Sequence, residues 1–415
     1  MRPSKGTQGE TQRGSPARFL ATIYFPVMLS IITGHRIPIK SWCRDIEPGA
    51  MNQAVNLTKL PFVYGHVALM ADCHEGYGMP IGGVIACKDT IVPNAVGVDI
   101  GCGMCAVQTG ISVSSIDQDT VRIILNRIRA VIPMGFDHHR TTQDWRRFEG
   151  APDLPVIQRE IDSARKQLGT LGGGNHFIEI QAGSDGWVWL MLHSGSRNFG
   201  YKIAKEYHDK ALAFCQQRGI DLPDKDLAYL PIDASPAQEY LAAMNFALSF
   251  AAENRRQMKL VCCDIMQFET GCSFTHEINI HHNFAALETH YGRTLVVHRK
   301  GATCASKGMG GIIPGSMGTS SYIVQGLGNP DSFESCSHGA GRVMGRNEAN
   351  RTLTYEQVKQ AMKGIVFDTW PRGRKGKIDL SEAPQAYKNI DRVIDAQKDL
   401  VEVLVKLQPL GVVKG

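Results

Sequence analysis

Side chains that can bind a metal ion stand beside glycines or at the ends of apolar runs at several places along the chain. In the segment 97–105, a carboxylate and a thiol lie three residues apart between glycines, so both can turn toward one point. One histidine follows three consecutive glycines, another ends an apolar run, and two more are adjacent to each other. Residues so far apart in sequence would meet only in the folded core, as the ligands of catalytic metal sites often do. The candidate ligands are Asp99, Cys102, His176, His193, His281 and His282.

Each of these residues also has an ordinary structural interpretation. Cys102 and Cys105 form one CxxC, and the sequence has no second CxxC to complete a zinc knuckle, so the pair is equally typical of a structural site. A single histidine is more often a core or surface residue than a ligand. Their recurrence at strand ends and glycine turns favours the metal site. A Cys/His donor set by itself favours zinc or cobalt, because manganese prefers oxygen ligands, although Asp99 tempers this preference.

Two segments of small residues suit the binding of phosphate. His338 lies in 335–342 among serines and glycines, where a phosphate could approach closely; the alternative is a tight turn. Ser316 and Ser321 belong to 314–321, whose hydroxyls and free amides could hold a phosphate or a base edge, or form an ordinary loop. Two basic runs beside an aromatic, 145–147 and 370–377, are typical of solvated loops but also suit a phosphodiester backbone.

Other common nucleotide and hydrolase motifs do not fit. The sequence has neither a complete Walker A loop nor a G-x-S-x-G elbow. The glycines of 76–82 have the wrong spacing for a dinucleotide fingerprint, and Pro80 stands where a helix should begin. The hypothesis of a dinucleotide-binding fold therefore fails.

Composition describes a protein with a sizeable core. The 415 residues are 43% hydrophobic and 20% charged, which excludes global disorder. The net charge of +5 permits a nucleic-acid partner but does not indicate one. An odd number of cysteines, 11, argues for free thiols in a reducing compartment, so we expect a cytoplasmic protein. The longest apolar run, 19–32, is too short to span a membrane.

The elements that would position these residues are a mixture of strands and helices. Short β-rich runs at 66–70, 82–86 and 187–192 predict strands, and the apolar spacing of 119–132 predicts a helix ending at Pro133. Ser235 to Gln238 resembles a capping box that begins a helix running to about residue 266. We expect one large α+β body from 28 to 415, with a helical insertion at about 222–270. Residues 1–27 are interpreted as a disordered extension or a start site assigned too early.

Taken in order, seven segments resemble motifs of the RtcB family of GTP-dependent RNA ligases. The resemblance covers nearly the whole chain, from about Met28 to Gly415. The segments are Asp72–Gly78, Val98–Met104, Gly174–Phe177, His193–Arg197, His281–Asn283, Pro314–Gly318 and Ser337–Arg342.

The resemblance implies a fold of RtcB type with two manganese ions in a central cleft. The Cys102 thiolate would bridge the two ions, while His281 and Cys105 would not be ligands. The positions that match the family's metal ligands are Asp99, Cys102, His176, His193 and His282.

The resemblance also implies the reaction. His338 matches the family's nucleophile, which attacks the α-phosphate of GTP and carries the guanylate to an RNA 3′-phosphate; a 5′-hydroxyl end then displaces GMP. Family members also open 2′,3′-cyclic phosphate ends. Glu179 would accept from the guanine N1–H and amino group and so select GTP over ATP. The implied guanylate contacts are Asn175, Glu179, Ser316, Ser321, Ala340, Gly341, Tyr387 and Lys414.

The implied function is RNA repair or tRNA splicing, with RNA as partner. An archease-type activator is a further partner that the resemblance allows, and no membrane partner is expected. Two alternatives stay open: a two-metal cyclic phosphodiesterase that does not ligate, and a catalytically idle RNA-binding relative.

Overall fold

The computed structural model describes residues 28–367 and 378–415. The expected extension 1–27 and the whole of the basic run 370–377 lie outside the described residues. The described chain mixes helices and strands, which confirms the predicted α+β class. Within it, every helix is too short or too polar to cross a lipid bilayer.

Most strands belong to two sheets. The strands are β1 Ser30–Ile32, β2 Ile39–Ser41, β3 Val63–Tyr77, β4 Met79–Cys87, β5 Thr90–Ile91, β6 Gly103–Ser112, β7 Phe177–Gly183, β8 Trp187–Ser194, β9 Leu230–Pro231, β10 Phe274–His281, β11 Asn283–His290, β12 Arg293–Lys300, β13 Ala302–Cys304, β14 Gly310–Ile313, β15 Ser321–Gly326, β16 Ser335–Ser337 and β17 Val401–Lys414. A six-stranded sheet has the order β1-β2-β3-β4-β12-β11, and a seven-stranded sheet has the order β10-β6-β8-β7-β17-β15-β14. Two small ladders, β13-β16 and β5-β9, complete the strands.

Helices cover these sheets. They are α1 Pro48–Lys59, α2 Gln118–Val131, α3 Pro155–Gln167, α4 Arg197–Gln217, α5 Ser235–Thr270, α6 Arg346–Thr352, α7 Tyr355–Ala361 and α8 Ile390–Asp395. Short 3-10 segments lie at Pro93–Ala95, Val113–Ser115, Arg146–Phe148, Lys225–Leu227, Pro330–Ser332 and Pro384–Ala386.

The periodic segments fold as predicted. The three apolar runs lie inside β3, β4 and β8. Helix α2 begins after Asp117, whose carboxylate accepts a hydrogen bond from Thr120 N at 2.7 Å, and ends before Pro133 as the apolar spacing indicates. Its apolar face packs in a cluster with strands β7 and β8.

The predicted capping box at the start of α5 is wrong, although the predicted start of the helix is correct. The N-cap is Ala234, so Ser235 already lies inside the helix. Its hydroxyl contacts Glu239 Oε1 at 3.1 Å rather than a backbone amide. Pro236 in the first turn, which needs no amide donor there, explains why the helix begins at this point. The helix ends at Thr270, where Gly271 adopts a left-handed conformation.

Four strand ends converge at one end of the seven-stranded sheet. The antiparallel register pairs Gly103 with both Ser194 and His281, and pairs His193 with Phe177. Helix α5 packs across β6, β8 and β10 beneath this end. The register therefore brings together segments that are far apart in the sequence, from residue 99 to residue 282.

Candidate active site

A buried thiol and two imidazoles form a cluster with the geometry of a metal site. Cys102 Sγ lies 3.1 Å from His193 Nε2 and 3.5 Å from His176 Nε2. The three donor atoms lie within 4.8 Å of one another, and all three side chains are buried. Cys102 immediately precedes β6, His176 precedes β7, and His193 lies near the end of β8.

Backbone carbonyls orient both imidazoles. His176 Nδ1 lies 2.9 Å from the carbonyl of Leu171, and His193 Nδ1 lies 3.2 Å from the carbonyl of Asn175. His176 Nδ1 also lies 3.3 Å from Arg197 Nη1. Because a carbonyl can only accept, His193 Nδ1 carries the proton and its Nε2 keeps a lone pair directed toward the thiol. This arrangement is typical of histidines that bind metals.

Asp99 and His282 extend the donor set. Asp99 Oδ2 lies 3.5 Å from His176 Nε2, and the ring of His282 lies 5.1 Å from that of His193. Burial alone would raise the pKa of Asp99, but its contact with His176 outweighs burial and lowers the pKa. Burial lowers the pKa of His193 and His282 well below the usual range, so both are neutral and able to bind a cation.

The donor set fits a divalent cation. Burial and the neighbouring Asp99 charge raise the pKa of the Cys102 thiol, so the thiolate forms when a cation displaces the proton. Cys105 lies apart from this cluster, buried among the apolar side chains between β6 and α5. Cys105 is therefore not placed to bind a metal ion together with Cys102, as the CxxC alternative requires.

His338 lies beside the cluster and is held by a buried carboxylate. Its ring is 4.8 Å from the ring of His282. His338 Nδ1 lies 2.6 Å from Asp72 Oδ2, and the same oxygen accepts from the amides of His338 (3.1 Å) and Gly339 (3.2 Å). Burial would raise the pKa of Asp72, but the contact with His338 lowers it, so the carboxylate is ionised. Nε2 is the ring nitrogen of His338 that does not face this carboxylate.

Sequence reasoning missed Asp72 as a site residue, although it begins the first of the quoted motifs. Asp72 lies on β3 of the six-stranded sheet, whereas His338 directly follows β16. The available signal was an acid two residues before His74, in a segment that otherwise follows an apolar run. Nothing in the sequence indicates which distant side chain it contacts.

A cavity opens beside His338 and contains most of the predicted guanylate contacts. Those that line it are Asn175, Ser316, Ala340, Gly341, Tyr387 and Lys414. Glu179 and Ser321 do not line it. Both are buried one layer behind: Gln181 Nε2 donates to Glu179 Oε2 at 2.6 Å and to Ser321 Oγ at 3.3 Å. Ser321 Oγ also accepts from the amide of Gly315, which does line the cavity.

Glu382, a second residue that sequence reasoning missed, organises the polar wall of this cavity. Its carboxylate lies 3.2 Å from Arg342 Nη1, 3.1 Å from Arg346 Nε and 3.6 Å from Lys414 Nζ, and it accepts from the Tyr387 hydroxyl. Burial alone would raise the pKa of Glu382, but these donors, Lys414 foremost, lower it. The wall is thus one connected network around an ionised carboxylate.

A second cavity lies on the other side of the metal cluster. His338 and Asn175 line both cavities, so the nucleophile candidate and the cluster stand between them. Lys300 lines the second cavity and donates to the carbonyl of Asn94 at 3.2 Å, and burial lowers its pKa to about 8. Its other lining residues include Glu75, Tyr77, Asp99, Cys102, His282 and Asn283.

The basic run at 145–147 is only partly available to a ligand. Trp145 packs against Phe148 at 5.2 Å and Phe246 at 5.5 Å between ring centroids, so its ring belongs to the apolar core. Arg146 and Arg147 are exposed.

Comparison with known proteins identifies the family. A family model described as tRNA-splicing ligase RtcB matches residues 53–151 and 138–415. The chain is 39% identical to the RNA-splicing ligase RtcB of Escherichia coli (strain K12), across 93% of this chain and 99% of that protein. It is 32% identical to the RNA-splicing ligase RtcB of Mycobacterium tuberculosis (88% and 100%) and 31% identical to the tRNA-splicing ligase RtcB of Archaeoglobus fulgidus (89% and 92%). The chain therefore belongs to the RtcB family.

Proposed function

We propose that this chain is an RNA ligase that joins RNA 3′-phosphate or 2′,3′-cyclic phosphate ends to 5′-hydroxyl ends, using GTP and two manganese ions. The observation that carries the proposal is the position of His338. Its Nδ1 lies 2.6 Å from Asp72 Oδ2. The ring lies between the proposed metal ligands and the cavity whose polar wall contains Tyr387 and Lys414. Membership of the RtcB family supports the same reaction.

The metal ions would be held by five side chains, among them the Cys102 thiolate. When bound, they neutralise negative charge that develops on the phosphoryl group. A thiolate and three imidazoles would also accept zinc or cobalt, so manganese is the finer part of the proposal. The proposed ligands are Asp99, Cys102, His176, His193 and His282.

The reaction follows from the free nitrogen of His338. Nε2 attacks the α-phosphate of GTP, the bond to the β-phosphate oxygen breaks, and pyrophosphate leaves. Asp72 Oδ2 lies 2.6 Å from Nδ1, so its negative charge stabilises the positive charge that the imidazole gains. An RNA 3′-phosphate then takes the guanylate from His338. The 5′-hydroxyl of a second RNA end attacks the activated phosphate and releases GMP.

The guanylate would occupy the cavity beside His338. Tyr387 and Lys414 stand in its polar wall, and the glycine turn that carries Ala340 and Gly341 adjoins the nucleophile. We propose that Glu179, which is buried behind the lining of this cavity, accepts hydrogen bonds from the guanine edge once the nucleotide has bound. The other proposed contacts are Asn175, Ser316 and Ser321.

Three further parts of the proposal concern organisation and setting. We propose residues 28–415 as the catalytic domain with 222–270 as a helical insertion, preceded by the extension 1–27. The protein would act in the cytoplasm, in RNA repair or tRNA splicing. An archease-type protein would be its activator.

The test is covalent labelling with GTP that carries a labelled α-phosphate, in the presence of manganese. The parent chain should acquire acid-labile, alkali-stable label, and His338→Ala should acquire none. His138→Ala, which changes an exposed histidine, is the matched control and should label like the parent. A folded, metal-loaded parent that takes no label would contradict the proposal. Cleavage of cyclic phosphate ends by that protein would then favour the phosphodiesterase, and RNA binding without turnover the idle relative.

A further inference from the structure

Two neighbouring side chains of helix α5, Asn254 and Arg255, reach the backbone segments that carry the metal-binding residues. Both side chains are completely buried. Neither is a candidate ligand, and neither lines the two cavities described above. Their partners are instead backbone and side-chain groups of the ligand-bearing segments.

Arg255 contacts three of these segments. Its Nη1 donates to the carbonyls of Gly101 and Ser194, each at 2.9 Å. Its Nη2 lies 3.0 Å from His281 Nδ1, and its Nε donates to Asn279 Oδ1 at 2.7 Å. Gly101 precedes Cys102, Ser194 follows His193, and His281 precedes His282. One planar guanidinium therefore touches the immediate neighbour of a proposed ligand in each of three segments.

Asn254 contacts the fourth segment, which leads to His176. Its Oδ1 accepts from the amides of Gly169 (2.7 Å) and Thr170 (3.1 Å), and its Nδ2 donates to the carbonyl of Thr170 at 3.1 Å.

Asn254 also joins this segment to the one that carries His193. Its Nδ2 donates to Ser194 Oγ and to the carbonyl of Gly195, each at 3.1 Å. Ser194 Oγ in turn donates to the carbonyl of Leu171, the group that orients His176 Nδ1.

A buried guanidinium is expensive unless its donors are satisfied. Among the described residues, Arg255 has no carboxylate at ion-pair distance, and its partners are carbonyl oxygens, an amide oxygen and an imidazole. The folded chain therefore bears the cost of burying a cation in order to hold backbone carbonyls in place. An apolar side chain of similar volume would fill the same space but would leave those carbonyls unpaired.

We propose that Asn254 and Arg255 are positioning residues that preassemble the metal site from helix α5. Through their hydrogen bonds they fix the segments that carry Cys102, His176, His193 and His282 before any cation arrives. This inference rests on the proposed metal site but not on the identity of the ion, on GTP or on ligation. Partners outside the ligands typically contribute about 10-fold to 100-fold to metal affinity by holding those ligands in place.

Cobalt binding tests the proposal without any activity assay. Co²⁺ bound by a thiolate gives charge-transfer and ligand-field absorption that reports affinity and geometry together. We expect Arg255→Met and Asn254→Leu to bind Co²⁺ about 10-fold to 100-fold more weakly than the parent, with altered spectra. Arg255→Lys restores the charge but not the fork of donors, so it should recover affinity only in part.

Two control variants separate positioning from general destabilisation. Arg256→Met removes the next arginine, which is partly exposed and paired with Glu253, and should bind cobalt like the parent. Phe250→Leu disturbs the buried core face of the same helix, so it should lower the melting temperature without changing the cobalt spectrum.

The outcomes distinguish the positioning role of Asn254 and Arg255 from the metal site itself. Parent-like cobalt affinity and spectrum in Arg255→Met, or equal weakening in Phe250→Leu, would overturn the proposal. If Arg255→Met fails to fold, Arg255→Lys carries the same test, and parent-like binding there would overturn it as well. A parent chain that binds no cobalt would overturn both the proposed metal site and the positioning role of Asn254 and Arg255. Cobalt binding with no guanylylation would contradict only the proposed function.

Discussion

The contact between His338 and Asp72 joins the six-stranded sheet to the turn that follows the small β13-β16 ladder. A carboxylate on Nδ1 fixes the tautomer of a histidine and stabilises its positive charge, which is the role of the acid in a catalytic triad. Because the same oxygen also holds two backbone amides, the carboxylate positions the whole turn around the nucleophile candidate.

Asp72→Asn should therefore slow guanylylation far more than it weakens GTP binding. The asparagine oxygen can still accept from the amides of His338 and Gly339, but it carries no charge for Nδ1. We expect a loss of about 100-fold to 10,000-fold in the labelling rate, the usual range for a positioned acid or base. Rapid-quench labelling measures it. Asp119→Asn, which changes an exposed carboxylate on α2, should keep the parent's rate of label formation, and an unchanged rate in Asp72→Asn would exclude the positioning role.

Two cysteines three residues apart offer a matched test of the metal cluster. Cys102→Ser replaces a thiolate donor and should lower metal affinity by at least about 10-fold. Cys105→Ser changes a thiol in the apolar cluster between β6 and α5, so it should leave the metal content unchanged. Elemental analysis after dialysis compares the two variants. Equal metal content in the two would remove Cys102 from the ligand set.

The acidity of Glu179 predicts a pH dependence of GTP binding. Burial raises the pKa of Glu179 to about 8, against the opposing charge of Lys414. A carboxyl with a raised pKa is protonated at pH 7, whereas reading the guanine N1–H and amino group requires the ionised form. Binding should therefore release a proton below pH 8, and affinity should rise with pH up to about 8 and then level off, by at most about tenfold per pH unit.

Calorimetry of GTP binding in buffers of different ionisation enthalpy measures the released proton directly. Glu179→Gln has no ionisable group at this position, so the variant should show weaker binding and a smaller pH dependence. A parent affinity that stays constant from pH 6.5 to 8.5 would be inconsistent with guanine recognition by Glu179.

At the scale of elements, the turn after β16 has a backbone requirement that its sequence only suggests. Gly341 has φ +73°, and a Cβ at this position would lie 2.2 Å from the carbonyl oxygen of Asp72. Gly339, two residues earlier, would place a Cβ 3.4 Å from its nearest neighbour, the carbonyl of Pro314. The two glycines therefore differ in what they tolerate.

Gly341→Ala should destabilise the fold and displace Asp72, whereas Gly339→Ala should have a small effect. The first variant combines backbone strain with a clash against a carbonyl, so we expect a loss of about 1–3 kcal/mol in the free energy of unfolding. Urea unfolding followed by circular dichroism compares the variants. Similar stabilities for the two would show that the turn relaxes and that the steric argument is incorrect.

Local sequence patterns predicted individual helices and strands well, but they could not predict which elements contact each other over long distances in the sequence. The spacing of 119–132 and the β-rich run 187–192 are local signals, and the helix and the strand lie where these signals indicate. The capping box failed because a Ser-x-x-Gln pattern fits equally well one residue inside a helix that Ala234 begins. The order of the seven strands, with β17 between β7 and β15, has no counterpart in local periodicity.

The same division applies to the site. The proposed metal-binding residues and His338 stand out because their types and glycine neighbours are unusual. Asp72, Glu382 and Arg255 do not stand out, since each acts through a partner distant in sequence: Asp72 through His338, Glu382 through Arg342, and Arg255 through Ser194. A buried charge is visible in sequence only as an ordinary charged residue.

At the scale of the whole molecule, the small net charge of +5 implies that RNA binding depends on where the cations stand. Neutralising the basic run by changing Arg372, Arg374, Lys375 and Lys377 to Gln should weaken RNA binding and flatten its salt dependence. For single strands, the slope of log K against log salt falls by about 0.7 for each phosphate that the protein no longer neutralises.

A fluorescence titration at several salt concentrations measures that slope. The matched control removes four exposed cations that pair with acids on their own helices or in an adjacent turn: Arg122, Lys205, Arg256 and Lys398. This variant should keep the parent's slope. An equal change in both variants would mean that overall charge, rather than the 370–377 run, controls the affinity.

The position of β17 has a consequence for how the protein is made. This late strand fills the middle of the seven-stranded sheet, its Lys414 lines the cavity beside His338, and the amide of Gly415 donates to the carbonyl of His176 at 3.1 Å. On the ribosome, the segments that carry Cys102, His176 and His193 emerge long before residues 401–415 do. A nascent chain would thus hold the proposed metal-binding side chains while the cavity beside His338 still lacks the part of its wall that Lys414 supplies. The cavity would be complete only once residues 401–415 have left the ribosome and paired with β7 and β15.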